Sequence, residues 1–155
     1  MHVIGNTENK TADQADGSTK GQSKAFECPG YLCDELIRIG EPGAAAPGTI
    51  LFRQGKAAKG VFLLLDGRVA FSAGDDPVRV TRIAEKGSLL GLPATVRNKP
   101  YSLTAEAVTH VRVCRVPATR FRKMLGENPQ LGLFVIRMLA EEISILRKLT
   151  VYRIE

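Results

Sequence analysis

At 155 residues, with 44% hydrophobic and 25% charged side chains, the chain has the size of one globular domain with a modest second element. No apolar run approaches the roughly 18 residues a membrane-spanning helix needs, and the polar stretch from Gly5 to Lys24 contains no secretory segment. The net charge is +6, and since residues 1–27 sum to −1 the remainder holds about +7, spread thinly, which argues against nucleic-acid binding by this chain alone and against a membrane partner.

Residues 1–27 lack periodicity and are rich in Gly, Asn, Asp, Ser, Thr and Lys, so a disordered tail is expected there, with the folded domain at 28–155. Cys28, Cys33 and Cys114 are too few for a disulfide scaffold, and Cys28 and Cys33 fit neither a redox pair nor a zinc knuckle. A cytoplasmic setting and ordinary thiols are expected. A short helix is predicted from Cys33 to Ile39, where Leu32, Leu36 and Ile39 share one side. The run Gly40–Gly48, with Pro42 and Pro47, reads as a loop.

Strands are expected next. Thr49–Phe52 precedes a glycine turn at Gly55–Gly60, and Val61–Leu65 and Arg68–Ser72 read as a hairpin closed by Asp66-Gly67. After the turn Gly74–Pro77, a strand carrying Val78, Val80 and Ile83 is expected, then Ser102–Ala107 and His110–Val116. Strands at this spacing argue for a sandwich or barrel. Pro117 opens a short helix through Leu125, and Asn128-Pro129 opens a longer one to about Lys148. On it, Val135, Met138, Ile145 and Leu149 recur at helical spacing, with Leu139 and Leu146 widening the stripe. That face packs on the chain's own barrel, on a second copy, or on both. The apolar breadth favours a homodimer through the helix at about 129–150.

The order of elements resembles the cyclic nucleotide-binding domain of the Crp/Fnr family of bacterial transcription regulators. The resemblance rests on Gly48-Thr49-Ile50-Leu51-Phe52-Arg53-Gln54-Gly55, on the run Val61–Val69, and on Gly87-Ser88-Leu89-Leu90-Gly91, and it covers about residues 32–150. It implies a mainly β jelly roll (a double-stranded β-helix) with flanking helices and a long C-terminal dimerisation helix. It also implies a phosphate-binding cassette. In ligand-binding relatives that cassette starts Phe/Ile-Gly-Glu, and the glutamate accepts a hydrogen bond from the ribose 2′-hydroxyl. Here the matching stretch is Leu90-Gly91-Leu92. About ten residues on, relatives carry an arginine that pairs with the cyclic phosphate; Tyr101 or Ser102 holds that place here. Loss of the cation removes a charge-assisted hydrogen bond and leaves a buried phosphate uncompensated. Arg97 stands nearby, either as a substitute cation or as a solvated surface group. Tyr101 is either a pocket wall or core.

The candidate ligand residues are therefore Leu90, Gly91, Leu92, Arg97, Tyr101 and Ser102. No helix-turn-helix segment follows the long helix, which fits either a stand-alone sensor-like domain or a piece of a longer regulator, the start at Met1 slightly favouring the former. His110 and Cys114, four apart on one strand face, invite a metal or haem reading that a surface histidine explains more simply. No nucleophile triad or Walker loop is present, so no enzyme, metal or cofactor is expected. Two functions stay open. One is a regulatory sensor-like domain with an altered cassette, for which ordinary cyclic AMP or cyclic GMP is a doubtful guest and the ligand is unspecified. The other is a degenerate structural or protein-interaction domain with a self-filled pocket.

Overall fold

The computed structural model describes residues 28–75 and 77–154, with side chains through Glu141. The expected tail, 1–27, lies outside them. In chain order the elements are α1 (Gly30–Ile39), β1 (Glu41–Ala45), β2 (Ile50–Phe52), β3 (Gly60–Asp66), β4 (Val69–Ala73), β5 (Arg79–Ala84), β6 (Leu89–Leu90), α2 (Leu92–Arg97), β7 (Thr104–Ala107), β8 (Val111–Pro117), α3 (Ala118–Glu127) and α4 (Pro129–Ile154). The strands form two antiparallel sheets, β1-β8-β3-β6 and β2-β7-β4-β5. The chain crosses between them repeatedly, as a jelly roll requires.

Residue alternation explains why one sheet is buried on both sides. On β3, Leu64 points into the space between the sheets with Phe62 packed beside it, while Val61 and Leu63 face the helices. On β8, Val111 and Val113 face inward, and Cys114 and Val116 face the helices. The helix-side core gathers Leu32 and Leu36 from α1, Phe121 and Met124 from α3, and Leu131, Val135 and Met138 from α4. Each such large apolar side chain contributes roughly 1.5–3 kcal/mol through burial. α1 stops at Gly40, whose N–H closes on the Leu36 carbonyl at 2.8 Å.

Several sequence expectations are corrected here. Asp66-Gly67 does not close a hairpin: β3 pairs with β8 and β6, whereas β4 pairs with β7 and β5. The dipeptide instead turns the chain from one sheet to the other, alongside the β7–β8 corner. There the Arg68 N–H donates to Thr109 Oγ1 at 3.1 Å and the Val108 N–H to the Arg68 carbonyl at 2.9 Å. Gly67 has φ +93°, and a β-carbon on it would run into the His110 carbonyl. The Gly40–Gly48 loop contains β1, which pairs with β8 over five residues. Its proline, glycine and alanines are weak strand formers, so backbone pairing to β8 defines it. The helix predicted from Cys33 starts earlier, at Gly30, and α4 runs past Lys148.

Candidate functional site

The cassette begins where β6 ends. Gly91 takes a left-handed conformation (φ +80°) and turns the chain into α2, whose first turn holds Pro93 and whose end is the left-handed Asn98. This conformation is open to glycine and strained for other residues. The Thr95 N–H closes on the Gly91 carbonyl at 3.1 Å. Arg122 of α3 donates from Nη1 to the Thr95 carbonyl at 2.9 Å, tying α2 to the helices.

Beside the cassette lies a cavity of only about 50 Å3, bordered by Gly91, Leu92 and Pro93 from the cassette, Phe52, Phe71 and Arg82 from the sheet, and Tyr101 and Ser102. Small-molecule pockets run to roughly 300–1,000 Å3. Tyr101 forms part of its wall. Its ring is 5% exposed and stacks on Phe52, with centroids 4.0 Å apart and planes at 17°. Its hydroxyl donates to the Gly60 carbonyl at 2.8 Å and accepts from the Lys59 and Gly60 N–H groups at 3.2 and 3.3 Å. The ring also lies against Gly91, where an added β-carbon would stand 3.0 Å from it.

Of the six candidate ligand residues, Gly91, Leu92, Tyr101 and Ser102 border this cavity. Leu92 is buried, packed with the helix-side core that includes Val61 and Phe121. Leu90 is fully buried between the sheets. Arg97 is exposed in the last turn of α2, and it does not border the cavity. The sequence reading missed Arg82, a half-buried cation whose guanidinium lies 5.0 Å over the Phe71 ring. The available signal was Ala84, two residues on and buried in the inner core, which shares a strand face with Arg82.

On α4, Val135 and Met138 are 2% and 4% exposed in the chain's own helix-side core, and Leu139 packs partly against it. Leu133 and Ile136, 54% and 62% exposed, present a different side. The expected dimer residues Ile145, Leu146 and Leu149 lie beyond the described side chains. His110 is exposed and precedes β8, whereas Cys114 is buried with its Sγ 3.4 Å from the Leu36 carbonyl. Burial, and then the charge of Glu41, push the Cys114 thiol up. The Cys28 thiol is raised by burial first and by neighbouring Cys33 second. Among the described residues, no three His, Cys, Asp or Glu side chains are grouped to hold a metal ion.

The family model of the cyclic nucleotide-binding domain matches residues 44–128. The chain belongs to this family. It is 30% identical over 114 residues to the transcriptional activator protein Anr of Pseudomonas aeruginosa, covering 71% of this chain and 45% of that protein. It is 26% identical over 98 residues to a cyclic nucleotide-gated potassium channel of Rhizobium etli, covering 63% of this chain and 26% of the channel. The chain thus spans less than half the length of these curated relatives. The crystal structure of a transcriptional regulator from Thermotoga maritima shares the fold with a TM-score of 0.69 at 14% identity, over 77% of this chain and 95% of that one. The family match and the shared fold thus agree in making this chain a cyclic nucleotide-binding domain. Among the described residues, no helix is long and apolar enough to cross a membrane.

Proposed function

We propose that this domain is a regulatory interaction module whose cyclic nucleotide chamber is filled by its own Tyr101, and that it pairs with a second copy through α4. The observation that carries this reading is the cavity of about 50 Å3 closed by the Tyr101–Phe52 stack. A cyclic nucleotide entering there would have to displace a buried ring and break three hydrogen bonds to backbone. In return it would meet Leu92, an apolar side chain packed with the helix-side core, where relatives offer a carboxylate. The exposed Leu133 and Ile136 support the pairing, because large apolar side chains one helical turn apart form a continuous strip.

A second reading, a sensor with altered ligand preference, is favoured by Arg82, a cation bordering the cavity. Titration calorimetry with cyclic AMP and cyclic GMP, accompanied by amide NMR spectra, separates the two. The self-filled chamber gives no saturable shift of amides 89–103 with either nucleotide. Saturable binding that moves those amides would overturn it.

A further inference from the structure

The rings that close the chamber also border a second recess, of about 390 Å3, between β2, the 53–59 turn, β3 and β8. Its apolar surface comes from Ile50, Leu51 and Phe62 together with Phe52 and Tyr101. Its charged groups are Arg53, Lys56, Lys59 and Arg115, and among the described residues no carboxylate borders it. Arg53, Lys56 and Lys59 are exposed. Arg115 is partly buried, opposes Phe62 across the β3–β8 pair, and is ion-paired with Glu41, Nη1 to Oε2, at 3.8 Å. Arg53, Lys56 and Lys59 on one rim repel each other, and a bound anion relieves that repulsion.

The walls are held by backbone. The Gly55 N–H donates to the Tyr101 carbonyl at 2.8 Å, the Tyr101 N–H to the Lys56 carbonyl at 2.9 Å, and Ala57 bridges to Pro100. Arg53, Lys56 and Lys59 therefore project from a fixed turn. The volume falls within the range of small-molecule sites, roughly 300–1,000 Å3. The mixture of aromatic wall and cationic rim selects one chemistry: a flat apolar body for the rings and an anionic head for the lysines and arginines.

We propose that this recess is a binding site for a small aryl anion, a carboxylate or phosphate ester, distinct from the cyclic nucleotide chamber. Its head lies among Lys56, Lys59 and Arg115, and its ring lies against Phe62. Occupancy is felt at α3, because the Ala118 N–H donates to the Lys59 carbonyl at 2.9 Å. The proposal does not depend on the chamber being closed.

Phenyl phosphate, with inorganic phosphate as the comparison, tests it on the whole chain by amide NMR titration. Phenyl phosphate gives saturable shifts at 50–62 and 115, and binds more tightly than inorganic phosphate. The double variant Lys56→Gln/Lys59→Gln, checked for an unchanged melting temperature, weakens it about tenfold, the loss of two solvent-screened charge contacts. The site is refuted by absence of saturation, by equal affinity for the two phosphates, by unchanged affinity in the double variant, or by shifts confined to 89–103. The last result would place the anion in the chamber and count against the closed-chamber reading as well, whereas the others leave that reading untouched.

Discussion

Replacing Tyr101 tests the closed chamber through stability. In Tyr101→Phe the ring stays on Phe52 while the hydroxyl's bonds to Gly60 and Lys59 are lost. A neutral hydrogen bond contributes about 1 kcal/mol net, and the Gly60 carbonyl loses a buried donor, so a loss of about 1–2 kcal/mol is expected. In Tyr101→Ala the ring goes too. Truncating a buried aromatic costs about 3–5 kcal/mol, including about 0.5–1.5 kcal/mol for a stacked pair. Both cavities border Tyr101, so the void opens towards solvent and water enters it. That relief places the alanine variant near the lower figure, about 3 kcal/mol. For a chain of this length each kcal/mol moves the melting temperature by roughly 2–4 °C, giving a fall of about 6–12 °C for Ala and about 2–8 °C for Phe. Circular dichroism with urea and thermal melts at neutral pH reads both. An alanine variant within about 1 kcal/mol of wild type would show that the ring is a dispensable occupant and refute the argument.

The α4 pairing predicts that Ile136→Lys shifts sedimentation toward monomer with the melting temperature nearly unchanged, because its side is exposed; a monomeric wild type sinks the pairing. Val135→Lys, one residue away in the core, instead unfolds the domain by burying an unpaired charge, seen as loss of the thermal transition. The raised thiols predict alkaline sensitivity. The folded state keeps the protons on Cys28 and Cys114 where the unfolded chain, with ordinary thiols near 8.5, begins to release them. Their stabilising effect is full below about pH 8.5 and declines above it by up to about 1.4 kcal/mol per pH unit for each thiol. Urea melts from pH 7 to 10 check this, and a Cys28→Ser/Cys114→Ser variant with the same alkaline slope would refute the assignment.

The sequence reading reached the architecture because its signals were local. Glycines at 48, 55, 67 and 91 do adopt the left-handed backbone that tight turns need. It erred where local signals do not name a partner. Asp66-Gly67 specifies a sharp turn; which strand edges pair beyond it is decided by β8 and β7, far along the chain. α2 has six residues, too few for an apolar period, and is opened by Gly91-Leu92-Pro93 rather than by a capping side chain. The stripe on α4 was legible as apolar. Periodicity carried no information on which surface covers Val135 and Met138, and the structure puts them against the chain's own sheet and helices. For Tyr101 the sequence left a pocket wall and the core both open. The groups that fix its ring are backbone atoms of Lys59 and Gly60, about forty positions upstream.

Those contacts bear on how such a domain could switch. A ligand moves a conformational equilibrium only by binding one state better than another. In this chain the cassette and the helices are already joined by internal bonds: Tyr101 to Gly60, Lys59 to Ala118, and Arg122 to Thr95. An intramolecular group is present at a high effective concentration and does not dissociate. On the proposed reading, Tyr101 holds the helices in one arrangement without any diffusible signal. Regulation then falls to what the helices meet and to the cationic recess, whose wall shares Lys59 with both Tyr101 and the first turn of α3. An anion there would act on the same linkage from the other side of the plug, with no need to open the chamber.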